Sequence, residues 1–224
     1  MDIIITGQDS VDSCASSGSE GQGKVEYRVV VLGGSMVGKT SIISQFLYDT
    51  FIGIYKETVD EMYHGEFDVG GCDLSLNIQD TGGSYVDEFP AMIGVSLQSA
   101  DAVILVYAVD DRDSFEEVAR FRRLVHSYKG DQIPMVVVGN KIDVERDTSK
   151  EAIEATVLFD WENGYVECSA KNNVNVSTVF KELLNQARAR YDISNSSASK
   201  GSLPSTPLVM KRRTSLPQVR NFQK

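Results

Sequence analysis

Apolar residues in this chain gather into short blocks, and the spacing inside each block predicts an element. Tyr27–Leu32 (YRVVVL), Ala102–Ala108 (AVILVYA) and Ile133–Gly139 (IPMVVVG) are near-continuous apolar runs, the pattern of strands buried on both faces. Residues 40–48 (TSIISQFLY) place Ile42, Ile43, Phe46 and Leu47 at helical spacing. Two extended stretches, about 60–69 and 73–79, flank Gly70-Gly71, a dipeptide suited to a tight hairpin. Ser114 with Glu117 three positions on reads as a capping box that opens a helix running to about Lys129. A helix near 149–160, a short strand at Tyr165–Cys168 and a helix from about 175 to 190 complete the series. Strands alternating with helices imply an α/β fold with parallel pairing, the hairpin adding an antiparallel edge. Ligands of such sheets sit at the C-terminal ends of the strands.

The pattern divides the chain into three. Residues 1–24 carry Asp2, Asp9, Asp12 and Glu20 ahead of the first strand and read as a disordered acidic extension. Residues 25–191 form the folded domain. Residues 192–224 are rich in Ser, with Pro204, Pro207 and Pro217, and read as a disordered basic tail. A chain of 224 residues has room for one well-buried domain plus extensions. The net charge of -10 argues against a nucleic-acid target, which requires a cationic surface. No apolar run approaches the roughly 20 residues that span a bilayer, and the N-terminus lacks the basic start of a signal peptide. Cys14, Cys72 and Cys168 suit neither a disulfide framework nor a metal site, so a cytoplasmic protein with free thiols is expected.

Chemistry concentrates at strand ends. Directly after the first strand, residues 33–40 read GGSMVGKT, which fits G-x-x-x-x-G-K-[ST]. In that pattern the backbone N–H groups of Gly33, Ser35, Met36, Val37 and Gly38, continuing into the helix at Ser41, cradle a phosphate. Lys39 reaches the β- and γ-phosphates, and the Thr40 hydroxyl ligates Mg²⁺. Behind the strand that ends at Gly139 comes NKID, residues Asn140, Lys141, Ile142 and Asp143. A carboxylate there accepts two hydrogen bonds from the N1–H and exocyclic amine of guanine, a donor pair that adenine lacks. Asp143 thus selects GTP over ATP. Two weaker signals fall in register. In DTGG, Asp80 holds Mg²⁺ through water and the Gly83 N–H meets the γ-phosphate; in SAK, the amides of Ser169, Ala170 and Lys171 meet the base.

With these four motifs in order, residues 25–190 resemble the Ras family of small GTPases. The resemblance implies a P-loop NTPase fold: a three-layer sandwich around a mostly parallel six-stranded sheet, with one antiparallel edge strand and helices on both faces. It also implies a switch I at FIGIYKETVDEMY, residues 51–63, where Thr58 ligates Mg²⁺ and the γ-phosphate, Phe51 packs on the guanine and Tyr55 closes over the phosphates. Switch II, DTGGSYVDEFPAM at 80–92, is similar to the Di-Ras and dexamethasone-induced Ras branches. Cofactors GTP/GDP and Mg²⁺, effector proteins, an exchange factor and a GTPase-activating protein follow from the same likeness, as does a monomer.

Three positions depart from the family pattern. Ser84 stands where the family has the glutamine that orients the attacking water, Ser35 where it has a glycine that admits an arginine finger, and Glu57 where it has a proline. An arginine finger contributes roughly 10³–10⁵ in rate. Slow hydrolysis is therefore expected, with Lys39, Thr58, Gly83 and Ser84 as the catalytic set. The alternative is a largely GTP-bound adaptor that does not cycle and signals through its tail. An ATP-dependent P-loop kinase is disfavoured by Asp143. The chain shows neither a prenylation box nor an N-myristoylation signal, so at most weak peripheral contact with the plasma membrane is expected, carried by the basic tail. Within that tail RRTSLP, residues 212–217, fits a basophilic-kinase site at Ser215 and, once phosphorylated, a 14-3-3-type reader.

Overall fold

Alternate residues of the central strands face opposite ways, and here both faces are apolar. In the computed structural model, which describes residues 25–69, 72–195 and 210–212, β1 (Val25–Gly33) sends Val29 and Val31 to one core and Val30 and Leu32 to the other. β4 (Ala102–Ala108) and β5 (Met135–Asn140) are buried at every position. Burying a side chain of this size stabilises the fold by about 1.5–3 kcal/mol. Such strands must lie at the centre of a sheet covered on both sides.

The elements run β1, α1 (Lys39–Tyr48), β2 (Asp60–Val69), β3 (Cys72–Thr81), α2 (Tyr85–Glu88), α3 (Pro90–Ser99), β4, α4 (Arg112–Lys129), β5, α5 (Lys150–Ala155) with a π-helical continuation at Thr156–Asp160, β6 (Gly164–Glu167), α6 (Val176–Asn195) and β7 (Met210–Arg212). The sheet order is β6-β5-β4-β1-β3-β2-β7. β1 pairs in parallel with β3 and β4, and β5 with β4 and β6. β2 pairs antiparallel with β3, from Asp60 opposite Thr81 to Val69 opposite Cys72. One core joins α1 and α6 to the sheet, where Phe46 stacks on Phe180 at 3.6 Å. The other joins α3, α4 and α5 through Ile93, Leu97, Val118, Phe121, Val125 and Ile153. This is the three-layer Ras-like P-loop architecture that the sequence implied, with its six strands and antiparallel hairpin.

Three local expectations come out differently. Beyond the six strands, residues 210–212 add a seventh to the antiparallel edge, inside the stretch read as tail. α4 starts two residues before Ser114. Its N-cap is Asp111, whose carboxylate accepts from the Asp113 and Ser114 N–H groups. The Ser114 hydroxyl instead donates to Asp111 O at 2.6 Å and accepts from Ala108 N, so the capping box does not form. Residues 85–99 also form two helices, α2 within switch II and α3 starting at its end, where the apolar pattern announced none. Gly70-Gly71, residues 1–24, Cys14 and Ser215 lie outside the described residues.

Candidate functional site

At the end of β1 the chain must reverse quickly to start α1. Met36 (φ 61°) and Gly38 (φ 97°) take left-handed backbone, and a Cβ on Gly38 would also run into Asn140 Nδ2, so that position requires glycine twice over. The turn points the N-terminus of α1 into the cleft. Gly38 supplies no side-chain cap, and the first-turn amides face a place suited to an anion. Lys39 folds back over the loop, its Nζ donating to Gly33 O at 2.8 Å and Gly34 O at 2.6 Å. Burial lowers its pKa to about 8, against the opposing pull of Asp80 and Glu117.

Beside this loop three oxygens converge. Thr40 Oγ1 lies 2.9 Å from Thr58 Oγ1 and donates to Asp80 Oδ2 at 2.5 Å. Asp80 is fully buried and its Oδ1 has no hydrogen-bond partner. Burial raises its pKa to about 6, although the Thr40 hydroxyl and the Lys39 ammonium act the other way. A buried carboxylate with one unsatisfied oxygen beside two hydroxyls is a donor set that fits a hard divalent cation keeping some of its waters. These residues come from α1, switch I and the end of β3.

The two switches are tied at their roots. The Gly82 N–H donates to Val59 O at 3.0 Å, and a Cβ on Gly82 would strike Thr58 O. Gly83 lies against Ser35, where a Cβ would meet both the Ser35 hydroxyl and its backbone. In the sequence the doubled glycine of DTGG is the only signal of this close approach at Gly82.

At the opposite end, Asn140 holds three segments together. Its Nδ2 donates to Val37 O at 2.9 Å, and its Oδ1 accepts from Ala170 N at 3.1 Å and from the Cys168 thiol at 3.6 Å. Asp143 accepts from Ser169 Oγ at 2.6 Å and faces Lys171 Nζ at 3.8 Å. Lys141 sits at φ 68° and pairs with Asp110 at 3.2 Å.

Together these segments enclose a cleft of about 520 Å³, a size suited to a nucleotide. Ser35, Met36, Gly38, Lys39, Thr40, Ser41, Phe51, Tyr55, Thr58, Gly83, Asn140, Lys141, Asp143, Ala170 and Lys171 all line it. Gly33, Val37, Asp80 and Ser169 are buried behind that wall. Ser84 is placed elsewhere. It precedes α2 and lines a small neighbouring hollow with Glu57, Thr58 and Glu88. Glu117 of α4, read from sequence as a helix cap, faces Gly34 instead.

The Ras family model matches residues 28–189, which is most of the chain. The chain belongs to the Ras family. GTP-binding protein Rhes of Homo sapiens is 36% identical over 183 residues, covering 76% of this chain and 68% of Rhes. GTP-binding protein Di-Ras2 of Mus musculus is 39% identical over 171 residues, 74% of this chain and 83% of that protein. Ras-like protein 2 of Drosophila melanogaster is 35% identical over 164 residues, 72% of this chain and 84% of its own length. As a Ras-family member this chain is a GTP-binding signalling protein of a class that hydrolyses GTP. No helix among the described residues is long and apolar enough to cross a membrane.

Proposed function

We propose that this Ras-family protein is a slow switch: it binds GTP and GDP in the cleft between the phosphate loop and NKID, and it hydrolyses GTP weakly. The backbone amides of residues 33–41 receive the phosphates, Lys39 lies over their outer oxygens, and Asp143 with the SAK amides reads the guanine edge. Phe51 and Tyr55 of switch I close over the nucleotide. Thr40 and Thr58 would hold Mg²⁺ directly and Asp80 through water; when bound, the ion would supply charge neutralisation at the phosphates. Hydrolysis is an in-line attack by water, with Lys39 and the Gly83 N–H stabilising charge as it builds. GTP-dependent ordering of Thr58 and Gly83 presents residues 59–63 and 80–92 to effector proteins, and an exchange factor and an activating protein set the cycle.

The observation that supports slow turnover is the position of Ser84. Its short hydroxyl lines the hollow beside the cleft, and Ser35, packed on Gly83, fills the space by which an activating arginine would enter. Single-turnover hydrolysis on the purified, GTP-loaded chain tests this. The rate is expected to rise at least several-fold in Ser84→Gln; no increase removes the proposal that residue 84 limits the chemistry. The packing of Ser35 on Gly83 also favours a second reading, a GTP-loaded adaptor whose signal is phosphorylation of Ser215 and its 14-3-3-type reader. Nucleotide that co-purifies separates the two, GTP marking the adaptor and GDP the cycling switch. A cytoplasmic monomer, with at most weak contact between its basic tail and anionic lipid, completes the reading.

A further inference from the structure

β2 is the outer strand of the hairpin, and such an edge presents a row of N–H and C=O groups that pair with any suitable strand. Part of that edge is covered by the chain itself. Met210 stands opposite Val69, Lys211 opposite Asp68 and Arg212 opposite Phe67, antiparallel to β2. Beyond this ladder the Arg212 side chain reaches the end of α1. Its Nη1 lies 3.4 Å from Asp49 Oδ2, and its guanidinium carbon is 5.9 Å from the Tyr48 ring centre. An aromatic face beside a carboxylate is a seat for a guanidinium. Asp49 is there because α1 ends on it: φ is 51° and its N–H caps Gln45 O. Neither Tyr48 nor Asp49 lines the nucleotide cleft. A three-residue strand binds weakly by itself, but the covalent tether back to α6 makes its docking intramolecular and raises its effective concentration.

Arg212 also stands three residues before Ser215 in RRTS. Proteins that read such a sequence take it as an extended peptide and hold the arginine with their own acidic groups. One guanidinium cannot fill both sites. We propose that the outer edge of β2, with the Tyr48–Asp49 seat, is a docking site for the chain's own segment Met210–Arg212, and that docking withholds Arg212 from a basophilic kinase acting at Ser215. Only the second half of this rests on the reading of Ser215 as a kinase site.

The test uses the full chain loaded with GDP. Asp49→Asn removes the charge while keeping a residue at ease in left-handed backbone, and Arg212→Ala removes the other partner. Hydrogen exchange in residues 67–69 is expected to quicken several-fold in both variants. A purified basophilic kinase is expected to phosphorylate Ser215 several-fold faster in Asp49→Asn than in wild type. A synthetic peptide of residues 206–220 sets the undocked rate. Unchanged exchange in both single variants overturns the docking. Faster exchange with no change in phosphorylation rate overturns the withholding. If neither the peptide nor any variant takes phosphate at Ser215, the kinase-site reading fails, and the docking stands or falls on exchange alone.

Discussion

Among single side chains, Asp143 and Glu167 are carboxylates in two settings, one lining the cleft and one held by an arginine and a tyrosine. Asp143 is held by the Ser169 hydroxyl at 2.6 Å, which leaves its carboxylate facing the cleft beside Lys171. Asp143→Asn, which can accept but also donates, is expected to weaken GDP binding by about 2 kcal/mol, roughly thirtyfold in Kd, from the worth of a hydrogen bond to a charged group. Displacement of a fluorescent guanine nucleotide measures it. Glu167 lies at the end of β6, just before Cys168 and Ser169. Burial pushes its pKa up, yet Arg146 at 3.0 and 3.1 Å and the Tyr165 hydroxyl at 2.9 Å outweigh this and hold it below 4.5. A carboxyl whose folded pKa is depressed contributes stability above its unfolded pKa, and that contribution is lost as pH falls through the folded value. Glu167→Gln is therefore expected to lower the unfolding midpoint at pH 7, and the gap to wild type to shrink as pH drops below 4.5, in chemical denaturation across that range.

At the level of elements, α4 does two jobs with neighbouring residues. Asp111 starts it, while Glu117 and Arg120 turn toward the phosphate loop and switch II. Arg120 grips Asp87 of α2 through two bonds, at 2.5 and 3.0 Å. Both side chains are largely exposed, so solvent screens the pair and its coupling is expected near 0.5 kcal/mol in a double-mutant cycle. The cap matters more. Asp111→Ala is expected to cost about 1 kcal/mol of stability, and Glu117→Ala, which removes the group a capping box would need, to leave the helix start unaffected. Equal losses in urea unfolding would restore the capping box that the sequence suggested. Glu117 carried a helix-start pattern in sequence but spends its side chain on a loop distant along the chain, because α4 packs across the phosphate loop.

For the whole molecule, the cleft is assembled from the ends of β1, β3, β5 and β6 and from switch I, so ligand binding draws on most of the fold. A ligand that binds only the native state adds about 2.7 kcal/mol at a hundred times its Kd, which for a domain of this size raises Tm by roughly 5–10 °C. Thermal unfolding is expected to show that shift with GDP and Mg²⁺, a smaller one with GDP and a chelator, and none with ADP. A shift with ADP equal to that with GDP would contradict the role given to Asp143.

The sequence alone determined whatever is local. Buried strands announced themselves as continuous apolar runs, and residues 33–40 and NKID, which the fold brings to one cleft, stood out by particular residues at fixed short spacings. Tertiary structure decided what depends on distant partners. Asn140 became the staple of the site only when β5 lay between the phosphate loop and the SAK turn; the glycine of switch II met Ser35 only through folding; α2 and α3 formed where the local pattern was too weak to specify helix, held by Tyr85, Ile93 and Leu97 in the core. The tail strand is the extreme case, since three residues with no intrinsic preference pair with β2 only because the edge of the sheet and the Tyr48–Asp49 seat are there to receive them. Local spacing encodes chemistry that is contiguous in the chain, whereas contacts across the sheet depend on the register and packing of the whole fold.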